Sequence, residues 1–308
     1  MLALRLKHRV SPLIWLAIAA VVLDGCAPAH RAASGTIAVV AAENFYADVA
    51  TKIGAPYVSV TSILNNPNTD PHAYESNTND ANAVASAALL VQNGMGYDAF
   101  MDSLAAASPN ARRRVISAEI LMNAKKGANP HLWYDPRTMP KVAAAIAQAL
   151  CAIQPAHCSI FNANQRRFLT TLSPWQRAIA SLAKRAPRAP IAITEPVFSY
   201  TARAIGLTNR TPRAFALAVE EGNDPAPQDV AYVENLLATH AVRALMYNEQ
   251  TIAPTTTRIL NLAKAAHVPI VAVYETMPRG FSYARWMTAE VAAVAQAVLH
   301  GRSTEQLP

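Results

Sequence analysis

From residue 36 onward the chain alternates short, unbroken apolar runs with longer stretches whose apolar residues recur every three or four positions. Residues 36–41, 58–64, 89–92 and 115–118 read as strands, with residues 44–53 (closed by Gly54) and 80–88 as helices between them. A second set of strands follows at 190–194, 242–247 and 268–274. Between the two sets, residues 139–152 and 162–184 have a helical pattern, the latter with Phe168, Leu169, Leu172, Trp175, Ile179 and Leu182 along one face. Continuous apolar strands separated by helices predict parallel sheets covered on both faces. The expected fold is α/β: an N-terminal lobe (36–158), a linking helix (159–187) and a C-terminal lobe (188–302). Such sheets bind ligands beyond the carboxyl ends of their strands.

The first residues follow a different pattern. Arg5, Lys7 and Arg9 precede an eleven-residue apolar run at 13–23, too short to span a bilayer as a helix but suited to a signal peptide. The run ends in Leu23-Asp24-Gly25-Cys26, which resembles the bacterial lipobox, although Asp24 is unusual at its position. Residues 1–25 are therefore expected to be a lipoprotein signal peptide, Cys26 the lipid-bearing first residue, and 26–35 a tether. The alternative is a plain secretory signal cut between residues 27 and 33.

Composition narrows the possible functions. Of the 308 residues 52% are hydrophobic and 15% charged, which excludes a disordered chain or a disulfide-dense miniprotein. The net charge is +7, and loss of the signal removes three of 27 basic residues and one of 20 acids, leaving +5. The basic residues do not cluster beyond Arg112-Arg113-Arg114 and Lys125-Lys126, so no nucleic-acid partner is expected. In an exported chain Cys151 and Cys158 are expected to form a disulfide. A Cys/His metal site at His157-Cys158 would lack a second cluster.

Two of the eight histidines stand out. His72 in Asp70-Pro71-His72-Ala73-Tyr74-Glu75 and His131 in Asn129-Pro130-His131-Leu132-Trp133-Tyr134-Asp135 each follow a proline in a loop. Glu75 and Asp135 lie close enough in sequence to orient the imidazoles. In the second half, Glu195 and Glu275 each sit at the carboxyl end of an apolar strand, where a buried charge is costly unless neutralised. His72, His131, Glu195 and Glu275 together would suit one divalent cation.

With these motifs, and with Ala41-Ala42-Glu43-Asn44-Phe45-Tyr46 and Asn93-Gly94-Met95-Gly96-Tyr97-Asp98, the chain from about residue 36 to 299 resembles the metal-binding lipoproteins of bacterial zinc, manganese or iron ABC importers, the cluster A-I solute-binding proteins. The resemblance implies that the long helix is a rigid spine and that a modest tilt of one lobe admits metal. It implies His72 and His131 as ligands, Glu195 as the third from Thr194-Glu195-Pro196-Val197-Phe198-Ser199-Tyr200, and Glu275 in place of the usual Asp. Glu249 competes with Glu275 for the last position. The cargo would be Zn2+ or Mn2+, with Fe2+ compatible. The absence of His from residues 121–129 leans toward manganese. The partners would be an ABC permease, with its cytoplasmic ATPase indirectly, and a membrane through the lipid anchor. The protein is expected to be a monomer, extracytoplasmic, and not an enzyme. The competing readings are an extracytoplasmic metalloenzyme and a surface lipoprotein without a ligand.

Overall fold

In a computed structural model, which describes residues 35–66, 74–251 and 253–308, the alternating pattern becomes two four-stranded sheets. The first contains β1 (Ile37–Glu43), β2 (Val58–Leu64), β3 (Leu89–Gln92) and β4 (Arg114–Ser117) in the order β2-β1-β3-β4. Every pairing is parallel, with Val39 opposite Val60 and Leu89, and Val91 opposite Ile116. The second contains β5 (Pro190–Ile193), β6 (Thr208–Asn209), β7 (Leu245–Asn248) and β8 (Ile270–Val273) in the equivalent order β6-β5-β7-β8, again parallel. Each sheet reverses its winding once, between β1 and β3 or between β5 and β7. The carboxyl ends at such a reversal leave a crevice.

Helix α1 (Asn44–Gly54) buries Phe45, Tyr46, Val49, Ala50 and Ile53 along one stripe. It stops at Gly54 because the chain turns back against β2: a Cβ there would lie 2.2 Å from a methyl of Val58. Helix α2 spans Thr78–Ser86, two residues earlier than its sequence pattern suggests. Asn77 caps it, accepting from the amides of Asn79 and Asp80, while Asp80 accepts from the Asn77 amide at 2.8 Å. Helices α3 (Ala99–Ala107) and α4 (Ala118–Met122) complete the first half.

The linking helix is in fact a pair. Helix α5 (Thr138–Ile153) is followed by α6 (Cys158–Thr171) and α7 (Ser173–Arg185), with the break at Leu172. Pro174 lacks the amide hydrogen that would carry the helical ladder through. Leu172 keeps helical torsions (φ −79°, ψ −14°) and is fully buried, as are Phe168 and Trp175, so the apolar face continues across the break. Cys151 and Cys158 are bonded across the α5–α6 turn. Helices α8 (Ser199–Ile205), α9 (Arg213–Glu220), α10 (Pro227–Ala238), α11 (Pro254–Ala265) and α12 (Tyr283–His300) cover the second sheet.

One hydrophobic core runs through both halves, joining Val39 and Phe45 to Trp133, Trp175, Val271 and Trp286. Two smaller clusters lie apart from it, one beneath α2 and α3 and one beneath α9, α10 and α11. Polar ties reinforce the seam. The Asn44 side chain makes two bonds with the Met277 backbone (2.8 and 3.0 Å), and the Tyr283 amide donates to Asp48 at 3.0 Å. Residues 35–308 accordingly pack as one compact unit.

Closing a loop of about eight residues should contribute about 2–3 kcal/mol through the Cys151–Cys158 bond. The double variant Cys151→Ser/Cys158→Ser is expected to lose that amount in urea unfolding; no change in the midpoint would show that the α5–α6 turn needs no cross-link.

Candidate metal centre

The two crevices meet at the seam, and buried polar groups collect there. His131 is fully buried in the loop before α5, with its ring edge against Trp133 at 5.2 Å between centroids. Its Nδ1 lies 2.6 Å from Asn129 Oδ1, which also accepts from the His131 amide at 3.0 Å. Its Nε2 has no hydrogen-bond partner among the described residues and stands 3.7 Å from Glu275 Oε2.

Glu275 follows β8 and is 1% exposed. The Gln250 side chain holds its backbone by accepting from the amides of Glu275 and Thr276 at 2.7 and 2.8 Å. The Tyr97 hydroxyl of the first half donates to Glu275 Oε2 at 3.1 Å. Glu195 follows β5 and is equally buried. Asn248, at the end of β7, donates through Nδ2 to Glu195 Oε2 and Glu275 Oε1, both at 2.7 Å, and so bridges the two carboxylates. The other oxygen of Glu195 has no partner among the described residues.

A third carboxylate joins them. Glu220, the last residue of α9, places Oε1 3.6 Å from His131 Nδ1. Sequence reading missed it because Glu220-Glu221 looks like a solvated helix end. The available signal was electrostatic: acids in the last turn oppose the helix dipole and call for a compensating charge. Burial, then the neighbouring charge of Glu275, with Glu220 adding, pushes Glu195 up to about 9, against the lowering bond from Asn248.

Other expectations are corrected. Asp135 does not orient His131; it pairs with Arg137 at 2.6 Å, and Asn129 takes the imidazole instead. Glu249 points away from the cluster, into a separate cleft with Tyr247, Leu260 and Glu305. His157 stacks on Tyr57 at 3.7 Å, which accounts for it without a metal. His240, His267 and His300 are exposed. His72 and Cys26 lie outside the described residues, and Glu75 is exposed beside that segment.

Among the described residues no three His, Cys, Asp or Glu side chains converge closely enough to hold an ion. The Asn248 amide occupies the space between the Glu195 and Glu275 carboxylates. The donor chemistry nevertheless suits a cation: an unpartnered imidazole nitrogen and an unpartnered carboxylate oxygen are both buried beside two further acids.

Two more buried acids flank the seam. Glu43 ends β1 at 1% exposure, and burial, then Asp98 beside it, pushes its carboxyl well above the usual carboxylate range. Glu290 of α12 accepts from Trp286 Nε1 at 2.7 Å and lies 2.8 Å from the Tyr134 hydroxyl, which also reaches Tyr274 O at 2.8 Å. Burial raises Glu290 to about 8 and Asp98 to about 6, the latter against bonds from the Asn93 and Gly94 amides.

The fold is that of the periplasmic zinc binding protein TroA from Treponema pallidum, which superposes with a TM-score of 0.70 at 18% identity, covering 88% of this chain and 100% of that one. This defines the class: a two-lobed α/β protein whose halves meet at a buried crevice. The chain belongs to the family described as zinc-uptake complex component A, periplasmic, which it matches over residues 39–297. It is 22% identical over 214 residues to the iron-binding protein YfeA of Yersinia pestis, covering 67% of each chain. It is 25% identical over 167 residues to the manganese-binding lipoprotein MntA of Bacillus subtilis, covering 50% of this chain and 54% of that one. The matched stretches thus span about half to two thirds of these relatives.

Glu43, Asp98, Glu195 and Glu290 all have folded-state values above their unfolded ones, so the folded chain binds their protons more tightly. The stability they confer is present at low pH and is lost as pH rises, for Glu290 between its ordinary value and about 8. The Tm of the metal-free protein should therefore fall from about pH 5 to about pH 8. Glu290→Gln should flatten part of that slope; an unchanged slope would show that Glu290 does not contribute to it.

Proposed function

We propose that this protein captures a divalent transition-metal ion outside the cytoplasm and delivers it to an ABC permease, whose cytoplasmic ATPase drives import. The observation that carries the reading is the buried, partly unpartnered set of one imidazole and three carboxylates where the two crevices meet. Burial and then the charge of Glu275 raise Glu195 to about 9, and a bound cation would favour its ionised form. His131, Glu195 and Glu275 would be ligands from the described residues and His72 the fourth, with Glu220 a further carboxylate within reach. Family membership supports a carrier rather than an enzyme.

The donor set bears on the ion. Carboxylates favour a harder metal than three imidazoles would, so Mn2+ and Fe2+ are suitable cargo alongside Zn2+, although Zn2+ should bind more tightly in vitro. Cys26, at the end of the lipobox-like Leu23-Asp24-Gly25-Cys26, would tether the mature protein to the membrane by lipid. We infer that it acts as a monomer.

The metal-free mature protein, residues 27–308, should take up one equivalent of Mn2+ or Zn2+ in a competition titration, and His72→Ala/His131→Ala should take up none. Failure of the unaltered protein to bind either ion stoichiometrically would overturn the reading. Glu195→Gln, Glu220→Gln and Glu275→Gln should each weaken binding by about tenfold or more, because each removes negative charge from around the cation. Both imidazoles must be neutral and the acids ionised to bind, so affinity should fall from about pH 7.5 to about pH 5. Equal affinity at both would count against these ligands.

A further inference from the structure

The carboxamide of Asn129 makes contacts in two directions. Its Oδ1 accepts from the His131 amide at 3.0 Å and lies 2.6 Å from His131 Nδ1. Its Nδ2 donates at 2.7 Å to the carbonyl of Pro196, the residue after Glu195. Its own carbonyl accepts from the Tyr200 hydroxyl at 2.8 Å. The amide orientation follows from these partners: a flip would set oxygen against the Pro196 carbonyl and NH2 against the His131 amide. Because Oδ1 can only accept, His131 must carry a proton on Nδ1, and the neutral ring then presents its Nε2 lone pair on the side of Glu275. Glu220 Oε1, at 3.6 Å from Nδ1, is too distant to compete for that proton.

We propose that Asn129 is a positioning residue that fixes His131 in the tautomer that presents Nε2 and ties that imidazole to the backbone carrying Glu195, so that the two halves hold the ion together. The proposal rests on the metal-carrier reading for its consequence, although the tautomer itself does not. An asparagine satisfies both demands where an aspartate satisfies one. A carboxylate would still accept from Nδ1, but it would face the Pro196 carbonyl without a proton to donate and add a fourth acid to the crevice. Alanine would lose both functions.

The test separates them, using the full mature protein and its Asn129→Asp and Asn129→Ala variants. In 15N-histidine NMR of the metal-free protein at about pH 7.5, with the His131 signal assigned by its loss in His131→Gln, the unaltered protein and Asn129→Asp should show the Nδ1–H tautomer. Asn129→Ala should shift toward Nε2–H. Rates of Mn2+ release into excess chelator should rise about tenfold in both Asn129 variants. Nε2–H in the unaltered protein would overturn the tautomer assignment, and release from Asn129→Asp at the unaltered rate would overturn the tie to Pro196. If the unaltered protein took up no metal, the carrier reading would fail while the tautomer result still decided the local claim. Circular dichroism of each variant separates these effects from misfolding.

Discussion

Like charges brought together away from water govern this molecule. Glu220 and Glu275 each approach one buried imidazole, and burial, then the charge of Glu275, with Glu220 adding, pushes Glu195 well above its ordinary value. Two agents can offset that repulsion: a proton, which Glu195 binds more tightly in the fold than in the unfolded chain, or a divalent cation. In the carrier proposed above, metal capture would displace the proton held by Glu195. The surrounding structure keeps the acids from relaxing apart: Asn248 bridges two of them, Gln250 pins the backbone of one, and Tyr97 reaches across the seam to the same carboxylate.

The framework that sustains this arrangement is the repeated strand order. Each half places its winding reversal against the other, and corresponding strand ends bear corresponding residues: Glu43 ends β1 and Glu195 follows β5, while Asn93 follows β3 and Asn248 ends β7. The first pair remains an internal acid–amide arrangement, with Asn93 receiving the Tyr46 hydroxyl and Glu43 beside Asp98. The second pair faces the crevice. A core continuous through both halves, together with the Asn44–Met277 and Asp48–Tyr283 bonds, fixes their mutual placement. Large rotation about the spine would break these contacts, and α9 is held on both sides, by Ala216 in the main core and by Phe215 and Val219 in the smaller cluster.

Much of the fold was legible because β1, β3, β7 and β8 are buried on both faces. Residues 89–92 stand out as a buried run, and 58–64 by Val58, Val60, Ile63 and Leu64 between polar positions; their boundaries coincide with β3 and β2. Boundaries shifted where a local bond intervened, as at the Asn77–Asp80 cap of α2, or where Pro174 removed a donor from the spine. The site was less accessible. Strand-end acids can be found by position, so Glu195 and Glu275 were visible. Glu220 becomes a site residue only when α9 packs with its end toward the crevice, and the partner of His131 proved to be Asn129 rather than the acid Asp135. Sequence spacing locates groups within a loop but does not show which way a side chain turns.

The described donors come from the loop before α5, the end of α9 and the segments after β5 and β8, stretches brought together only by completed long-range packing. A nascent or translocating chain therefore offers a metal isolated histidines and glutamates with no preassembled affinity. Loading must wait until the two sheets have closed on one another. In the proposed carrier, the ion first met by the finished site would be supplied by the compartment where folding ends, so the place of folding would join the donor atoms in setting the cargo.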